Sequence, residues 1–306
     1  MKRLFLLILN LVFVFKLRAQ ETQVSSGKII CLKNFTSEYI AARNVEIWLP
    51  EGYSKHNKYA VLYMHDGQML FDSTHNWAHK EWGVDETIGS LIQQKLIRNC
   101  IVVGIWNSGM QRHDDYFPQK PFESLSQYQQ DTIYRTKRFK STAIFSGKIQ
   151  SDNYLKFIVK ELKPYIDSAF SVNSNRSNTF IAGSSMGGLI SMYAICEYPN
   201  IFGGAACLST HWPGIFTNEN NPIPDAFFNY LANNLPDPKH HQLYFDYGTS
   251  TLDTLYAEHQ KRVNNIVLKK GYSKSSFMSK VFDGDGHAEE FWAKRLFIPM
   301  TFLLKK

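Results

Sequence analysis

The chain has 306 residues, 44% of them hydrophobic, enough to bury one large core without requiring a second domain. Its formal charge of +7 does not make a nucleic-acid-binding protein: Lys2, Arg3, Lys16 and Arg18 all precede the first acid, Glu21, and without them 30 basic residues face 27 acidic ones, leaving +3. Four cysteines are too few for a disulfide framework at this length, and no Cys/His spacing matches a zinc site.

Lys2 and Arg3 open the chain, and Leu4 to Phe15 follow as an apolar run broken only by Asn10. This is the pattern of a secretory signal, too short for a membrane span, with cleavage expected after Ala19. Leu17 and Arg18 make that site imperfect, so an uncleaved anchor is the alternative. No cysteine lies near the cleavage point, which argues against a lipoprotein.

Residues 27–49 read as an antiparallel hairpin, its second arm Asn44 to Leu49 stopped by Pro50 and Gly52. Tyr59 to Met64 is a buried strand running into His65-Asp66-Gly67-Gln68. Residues 81–96 have helical periodicity, and 99–106 form an apolar strand ending at Asn107. Residues 108–151 are polar, aromatic-sprinkled and irregular, and a loop that long in a compact domain is uncommon unless functional. They read as an insertion over the site, with the basic run Arg135 to Lys140 as solvated loop. Ser151 and Asp152 then cap a helix through Ala169, whose Leu155, Ile158, Val159, Leu162 and Ile166 make one apolar stripe.

Next comes the stretch on which the rest depends, NTFIAGSSMGGLISMY from Asn178 to Tyr193. Thr179 to Ala182 suit a buried parallel strand, and Leu189, Ile190, Met192, Tyr193 and Ile195 recur at helical spacing. Gly183-Ser184-Ser185-Met186-Gly187 between them is a nucleophile elbow, in which small residues let the backbone pinch and present Ser185 at the strand's end. The five-residue pattern alone is weak, because at ordinary glycine frequencies it arises by chance in roughly one chain in ten of this size. Its strand and helix context, and suitably ordered partners downstream, are what give it weight.

Strands follow at 203–208, 243–247 and 277–282, alternating with helices near 225–232, 252–268 and 289–304. The alternation predicts an α/β fold, a mainly parallel sheet with helices on both faces and an antiparallel N-terminal hairpin. Cys31, Cys196 and Cys207 are expected as small core residues, Cys100 begins a strand, and a single bridge is open in an oxidising compartment. Residues 20–306 are read as one domain.

A serine hydroxyl needs a base within hydrogen-bond reach and a group to orient that base. His287, after the final strand and Asp283-Gly284-Asp285-Gly286, meets the first need; His259 is the alternative but lies mid-helix. For the acid, Asp253 is favoured because it lies past the end of its strand. Asp246 lies inside that strand, and Asp283, Asp285 and Glu289 stay open. The developing oxyanion needs donors, assigned to the backbone N–H groups of Met186 and Gln68. His65 and Asp66 are expected to hold the loop of Gln68 rather than do chemistry. Trp106, Asn107, Arg112, His211 and Trp212 follow strand ends on the catalytic side and are candidate substrate contacts; an aromatic wall would suit a sugar or a phenolic acyl group.

His65-Asp66-Gly67-Gln68, Val102 to Ile105 running into Asn107 and Arg112, Gly183 to Gly188, the Tyr247-Gly248-Thr249 turn, and His287 with Trp292 and Arg295 behind it together resemble the esterase D-like family of α/β-hydrolases. The likeness spans about residues 28 to 306. That family includes feruloyl and acetyl-xylan esterases, S-formylglutathione hydrolase, siderophore esterases and mycolyltransferases. The resemblance implies a serine ester hydrolase with neither metal nor cofactor, with Ser185, Asp253 and His287 as triad. Asp253 lies further beyond the Gly-Thr turn than the family's aspartate usually does. With export, the expectation is a periplasmic or extracellular esterase acting on a carbohydrate or phenolic-acid ester, without nucleic-acid partners and free of the membrane once the signal is cut. Its rivals are a siderophore ester hydrolase, an acyltransferase and a catalytically silent carbohydrate-binding relative. The acyl group, the alcohol half and the oligomeric state are not legible in the residues.

Overall fold

A computed structural model describes residues 22–306 apart from 77, 139–141 and 218, so the export signal expected at residues 1–19 lies outside the described residues. Eight strands make one sheet: β1 (Lys28–Phe35), β2 (Arg43–Leu49), β3 (Ala60–His65), β4 (Cys100–Ile105), β5 (Thr179–Ser184), β6 (Gly204–Leu208), β7 (Gln242–Gly248) and β8 (Phe277–Phe282). Their order is β1-β2-β4-β3-β5-β6-β7-β8. β1 and β2 pair antiparallel, as do β2 and β4, and every pairing from β4 through β3 to β8 is parallel.

Successive side chains of a strand point to opposite faces, so a sheet covered on both sides has two cores. In β3, Val61 and Tyr63 join one core while Leu62 and Met64 join the other; in β5, Ile181 lies on the first side and Phe180 and Ala182 on the second. This is why the central strands read as unbroken apolar runs: β3, β4, β5 and β6 are buried along their whole length. β1, at the sheet edge, is largely exposed. The expectation that Cys31 is a core residue is therefore corrected: it lies exposed on this edge strand. Cys100, Cys196 and Cys207 are buried, and all four thiols are free.

Two long segments differ from their sequence reading. The stretch expected to be irregular holds three short helices, Arg112–Tyr116, Gln119–Glu123 and Gln127–Tyr134. The last is closed by a capping box in which the Ser126 hydroxyl accepts from Gln129 N–H and the Gln129 side chain accepts from Ser126 N–H. The helix over 151–169 is continuous but widens to π geometry at Phe157–Leu162, and its N-cap is Gln150. Ser151 caps nothing there; its hydroxyl accepts from Gln119 N–H at 3.0 Å and ties the helix to the insertion.

Candidate active site

The elbow is built by close approach. A Cβ on Gly183 would lie 2.8 Å from the backbone C and O of Gly187, so only glycine lets the end of β5 touch the helix Met186–Glu197 that follows. Between them Ser185 has φ 59° and ψ −120°, a backbone conformation that costs a non-glycine residue about 1–3 kcal/mol. Ser185 N–H donates to Leu208 O at 2.9 Å, and Ser185 O accepts from Gly188, Leu189 and His211 N–H. The strained turn is thus held from both sides. Gly187 in turn packs against His65 and Asp66, which brings the helix start beside the β3 loop.

The candidate base lies in the loop after β8. His287 Nδ1 is 2.6 Å from Asp253 Oδ1, and since a carboxylate only accepts, the ring donates Nδ1–H and turns Nε2 outward as acceptor. The His287 ring stands edge-on to Trp292, centroids 5.0 Å apart, and its backbone N–H donates to Thr251 Oγ1 at 2.7 Å. Asp253 is fully buried in the turn Thr251–Leu255; its Oδ2 accepts from Gly248 N–H and from Ser209 Oγ, each at 2.6 Å. Burial alone would raise this carboxyl, but the hydrogen bond and charge of His287, with Ser209 and Gly248, hold it below the ordinary value of 3.8.

Asp246 is occupied differently. It pairs with Arg295 Nη2 at 3.0 Å and accepts from Tyr244 OH at 2.8 Å and Ser209 N–H at 3.2 Å. Burial raises its pKa to about 6, against the lowering by Arg295. Asp283 accepts from Thr249 Oγ1, and Asp285 pairs with Arg295. Among the carboxylates weighed from sequence, Asp253 is the one bonded to His287. Ser209, which sequence reasoning passed over, joins the two acids: besides donating to Asp253 it accepts from Trp292 Nε1 at 3.0 Å and Arg295 Nη2 at 2.9 Å. His259 lies in the helix Ala257–Lys269, its ring against Phe228.

A cleft of about 460 Å³ gathers these parts; Ser185 and His287 line it, together with Gln68, Asn107, Arg112 and Glu289. Among the described residues no hydrogen bond joins Ser185 Oγ to His287; such bonds commonly tighten only when substrate is bound. A larger cavity of about 650 Å³ lies at the amino ends of β5 to β7, beside Phe180, Gly203 and Gln242. It is at the wrong end of the sheet, since open α/β sheets do their chemistry beyond the strands' carboxyl ends.

The loop after β3 supplies the other wall. Gln68 is the second residue of the one-turn helix Gly67–Met69, and Met186 the first of its helix, positions whose N–H groups have no intrahelical acceptor. Asn107 N–H donates to Gln68 Oε1 at 3.1 Å, tying that side chain to the end of β4. Asp66, with φ 57°, is clamped by Arg112 through two hydrogen bonds of 2.7 Å and by Asn107 Nδ2 at 2.7 Å. Burial would raise the Asp66 carboxyl, but the Arg112 charge and these bonds bring it below 3.8. His65 is buried, its Nδ1 bonded to Tyr154 OH at 2.8 Å, and burial drives its pKa down to about 3, so it stays neutral.

Asn107 and Arg112 line the cleft, whereas Trp106, His211 and Trp212 are not among its lining residues. Trp212 is a core side chain packed on Phe228 and Phe245, its indole N–H bonded to Gln260 at 2.9 Å. His211 is buried with Nδ1 on Tyr256 OH at 2.8 Å. Trp106 directly follows β4, with its backbone N–H on Asn44 O at 3.1 Å. The tryptophans that do reach the cleft are Trp82 and Trp292, their rings tilted at 40° to each other with centroids 5.5 Å apart. Trp82 carries no motif, and only the chain's return over the site brings it there. Among the described residues no cluster of His, Cys, Asp and Glu fits a metal ion.

A mainly parallel sheet between two helical layers, with the candidate nucleophile at the carboxyl end of a central strand, is the α/β-hydrolase fold. The chain belongs to the Esterase family, whose model, described as "Putative esterase", matches residues 37–302. It is 24% identical over 284 residues to the Bacillus subtilis "Uncharacterized protein YbbA", covering 90% of this chain and 98% of that one. It is 28% identical over 198 residues, 62% of this chain but 23% of the other, to an endo-1,4-beta-xylanase/feruloyl esterase of Xylanibacter ruminicola. Among solved structures a ferulic acid esterase superposes with a TM-score of 0.62 at 18% identity, covering 90% of this chain and 98% of that one. The enterobactin esterase of Shigella flexneri superposes with 0.60 at 16%, covering 91% and 59%.

Proposed function

We propose that this protein is an exported serine esterase that hydrolyses carboxylic esters of a carbohydrate or a phenolic acid through an acyl-enzyme on Ser185. The observation that carries the reading is the 2.6 Å His287–Asp253 hydrogen bond in a cleft lined by Ser185. In the first half-reaction Ser185 Oγ bonds to the ester carbonyl carbon while His287 Nε2 takes its proton. The oxyanion is received by the N–H groups of Met186 and Gln68, each such donor being worth about 10²- to 10³-fold in rate. Collapse breaks the carbon–oxygen bond to the alcohol, which leaves with the proton from His287. A water activated by the same nitrogen then frees the acid. Asp253 keeps the ring in the tautomer that accepts at Nε2, and steadies the imidazolium.

Residues 20–306 serve as one catalytic domain in this reading, the 108–151 insertion carries Arg112 to the cleft, and the leader of Lys2, Arg3 and Leu4 to Phe15 directs it to the periplasm or the exterior. The likeness to both a xylanase/feruloyl esterase and a ferulic acid esterase supports the phenolic-acid type of ester. A second reading, hydrolysis of a siderophore ester, is favoured by the similarity to an enterobactin esterase. Replacing Ser185 with alanine and assaying a short-chain chromogenic ester tests the mechanism: turnover should vanish, and retained hydrolysis would remove Ser185 as nucleophile. A panel of feruloyl, acetyl and longer-chain esters, assayed with and without a competing alcohol, separates the substrate classes and separates hydrolysis from transfer.

A further inference from the structure

We infer that Glu289 reads the alcohol half of the ester, accepting hydrogen bonds from the hydroxyl groups of a neutral polyol leaving group; the inference rests on the Ser185 reading above. Glu289 lines the cleft two residues beyond His287. Its neighbour Glu290 points elsewhere and pairs with Lys80. Burial raises the pKa of the half-buried Glu289 carboxyl, with Asp66 adding to the effect and its own backbone N–H, His287 and Arg112 opposing it. The carboxylate is part-exposed at the cleft, and a carboxylate can only accept. Its complement in a guest is therefore a hydroxyl or a cation.

The rest of the cleft decides between them. Arg112 and Arg138 line it as well and disfavour a cation, while Asp66 and Glu289 disfavour an anion. A neutral hydroxyl-bearing group meets neither penalty. Position selects the half of the ester: Glu289 stands on the His287 side, where the leaving oxygen receives its proton, whereas Gln68 and Met186 flank the acyl carbonyl. The alternative is that Glu289 only stabilises the helix Glu289–Arg295 as a first-turn acid. That role predicts a loss of stability and no discrimination between substrates.

The test uses the full-length protein and two esters with the same acyl group, one on a methyl glycoside and one on 4-nitrophenol, with Glu289→Leu and Glu289→Gln. Losing a charge-assisted hydrogen bond to the guest should lower kcat/KM of E289L on the glycoside ester by about tenfold or more, mainly through KM. The loss on the 4-nitrophenyl ester, which lacks the polyol, should be at least about threefold smaller, and E289Q, which keeps one acceptor oxygen, should recover part of the difference. Equal losses on both esters, no loss on the glycoside, or a wild-type enzyme that ignores the glycoside ester would overturn the inference. Ser185→Ala on the 4-nitrophenyl ester is read separately. If that variant is dead while E289L shows no selectivity, only the role of Glu289 falls.

Discussion

Replacing Asp253 with asparagine separates the two acids that compete for the triad. Asp253 accepts three short hydrogen bonds, from His287 Nδ1 on one oxygen and from Gly248 N–H and Ser209 Oγ on the other. Asparagine offers one accepting oxygen and one NH₂ group, so it cannot serve both sides. Keeping its oxygen on the two donors at Gly248 and Ser209 turns NH₂ toward His287 Nδ1. That nitrogen must then give up its proton, the other tautomer is selected, and Nε2 can no longer take the proton of Ser185. Tautomer inversion of this kind in a serine triad lowers kcat by about 10⁴-fold, or roughly 5.5 kcal/mol of barrier. The assay is steady-state hydrolysis of 4-nitrophenyl acetate with circular dichroism to check folding. The control is Asp246→Asn, which disturbs the Arg295 pair and should lower Tm while leaving kcat within about tenfold, because Asp246 does not touch the imidazole. An active D253N beside an inactive, folded D246N would transfer the acid role and refute the argument.

Three further outcomes follow from the same contacts. Asp66 has a folded pKa below 3.8, so its ion pair stabilises the protein above that value and the contribution is lost as pH falls through the folded pKa. Asp66→Asn, which tolerates the left-handed backbone, should therefore show a Tm deficit at pH 7 that shrinks below pH 3.8 in a thermal-melt series; a deficit independent of pH would contradict the pairing. Gly248→Ala should destabilise the fold by about 2 kcal/mol or more in urea titrations, since its Cβ would sit 2.1 Å from Asp285 O; a neutral result would mean that the β8 loop is free to move away. Ellman titration should find one fast thiol, Cys31, in the native protein and four after unfolding, and rapid reaction of three or more native thiols would rule out the burial of Cys100, Cys196 and Cys207.

What could be read from the sequence was whatever is local or periodic. β3, β4 and β5 announce themselves as apolar runs because both faces are covered, and the glycines at 183 and 187 mark a contact made within five residues. His287 and Asp253 were legible because the fold class dictates that such groups sit past strand ends. The misplacements share a cause. Trp106, His211 and Trp212 also follow strand ends, but which way a side chain turns there depends on distant partners: Gln260 for Trp212, Tyr256 for His211. Ser209 was invisible for the same reason, since its role is to join Asp253, Trp292 and Arg295, residues 44 to 86 positions away. Cys31 was misjudged because its apolar neighbours suggest burial, whereas the strand they form lies at the sheet edge and is largely exposed. The three helices of the insertion lack the apolar periodicity that would have revealed them, being only five, five and eight residues long.

The most direct measurement is covalent trapping. Incubation with a fluorophosphonate, which reacts only with an activated serine, should add one adduct by intact-mass spectrometry, mapped to the peptide containing Ser185 and suppressed in His287→Ala. Labelling at another serine, or undiminished ester hydrolysis by a protein that takes up no label, would contradict the account.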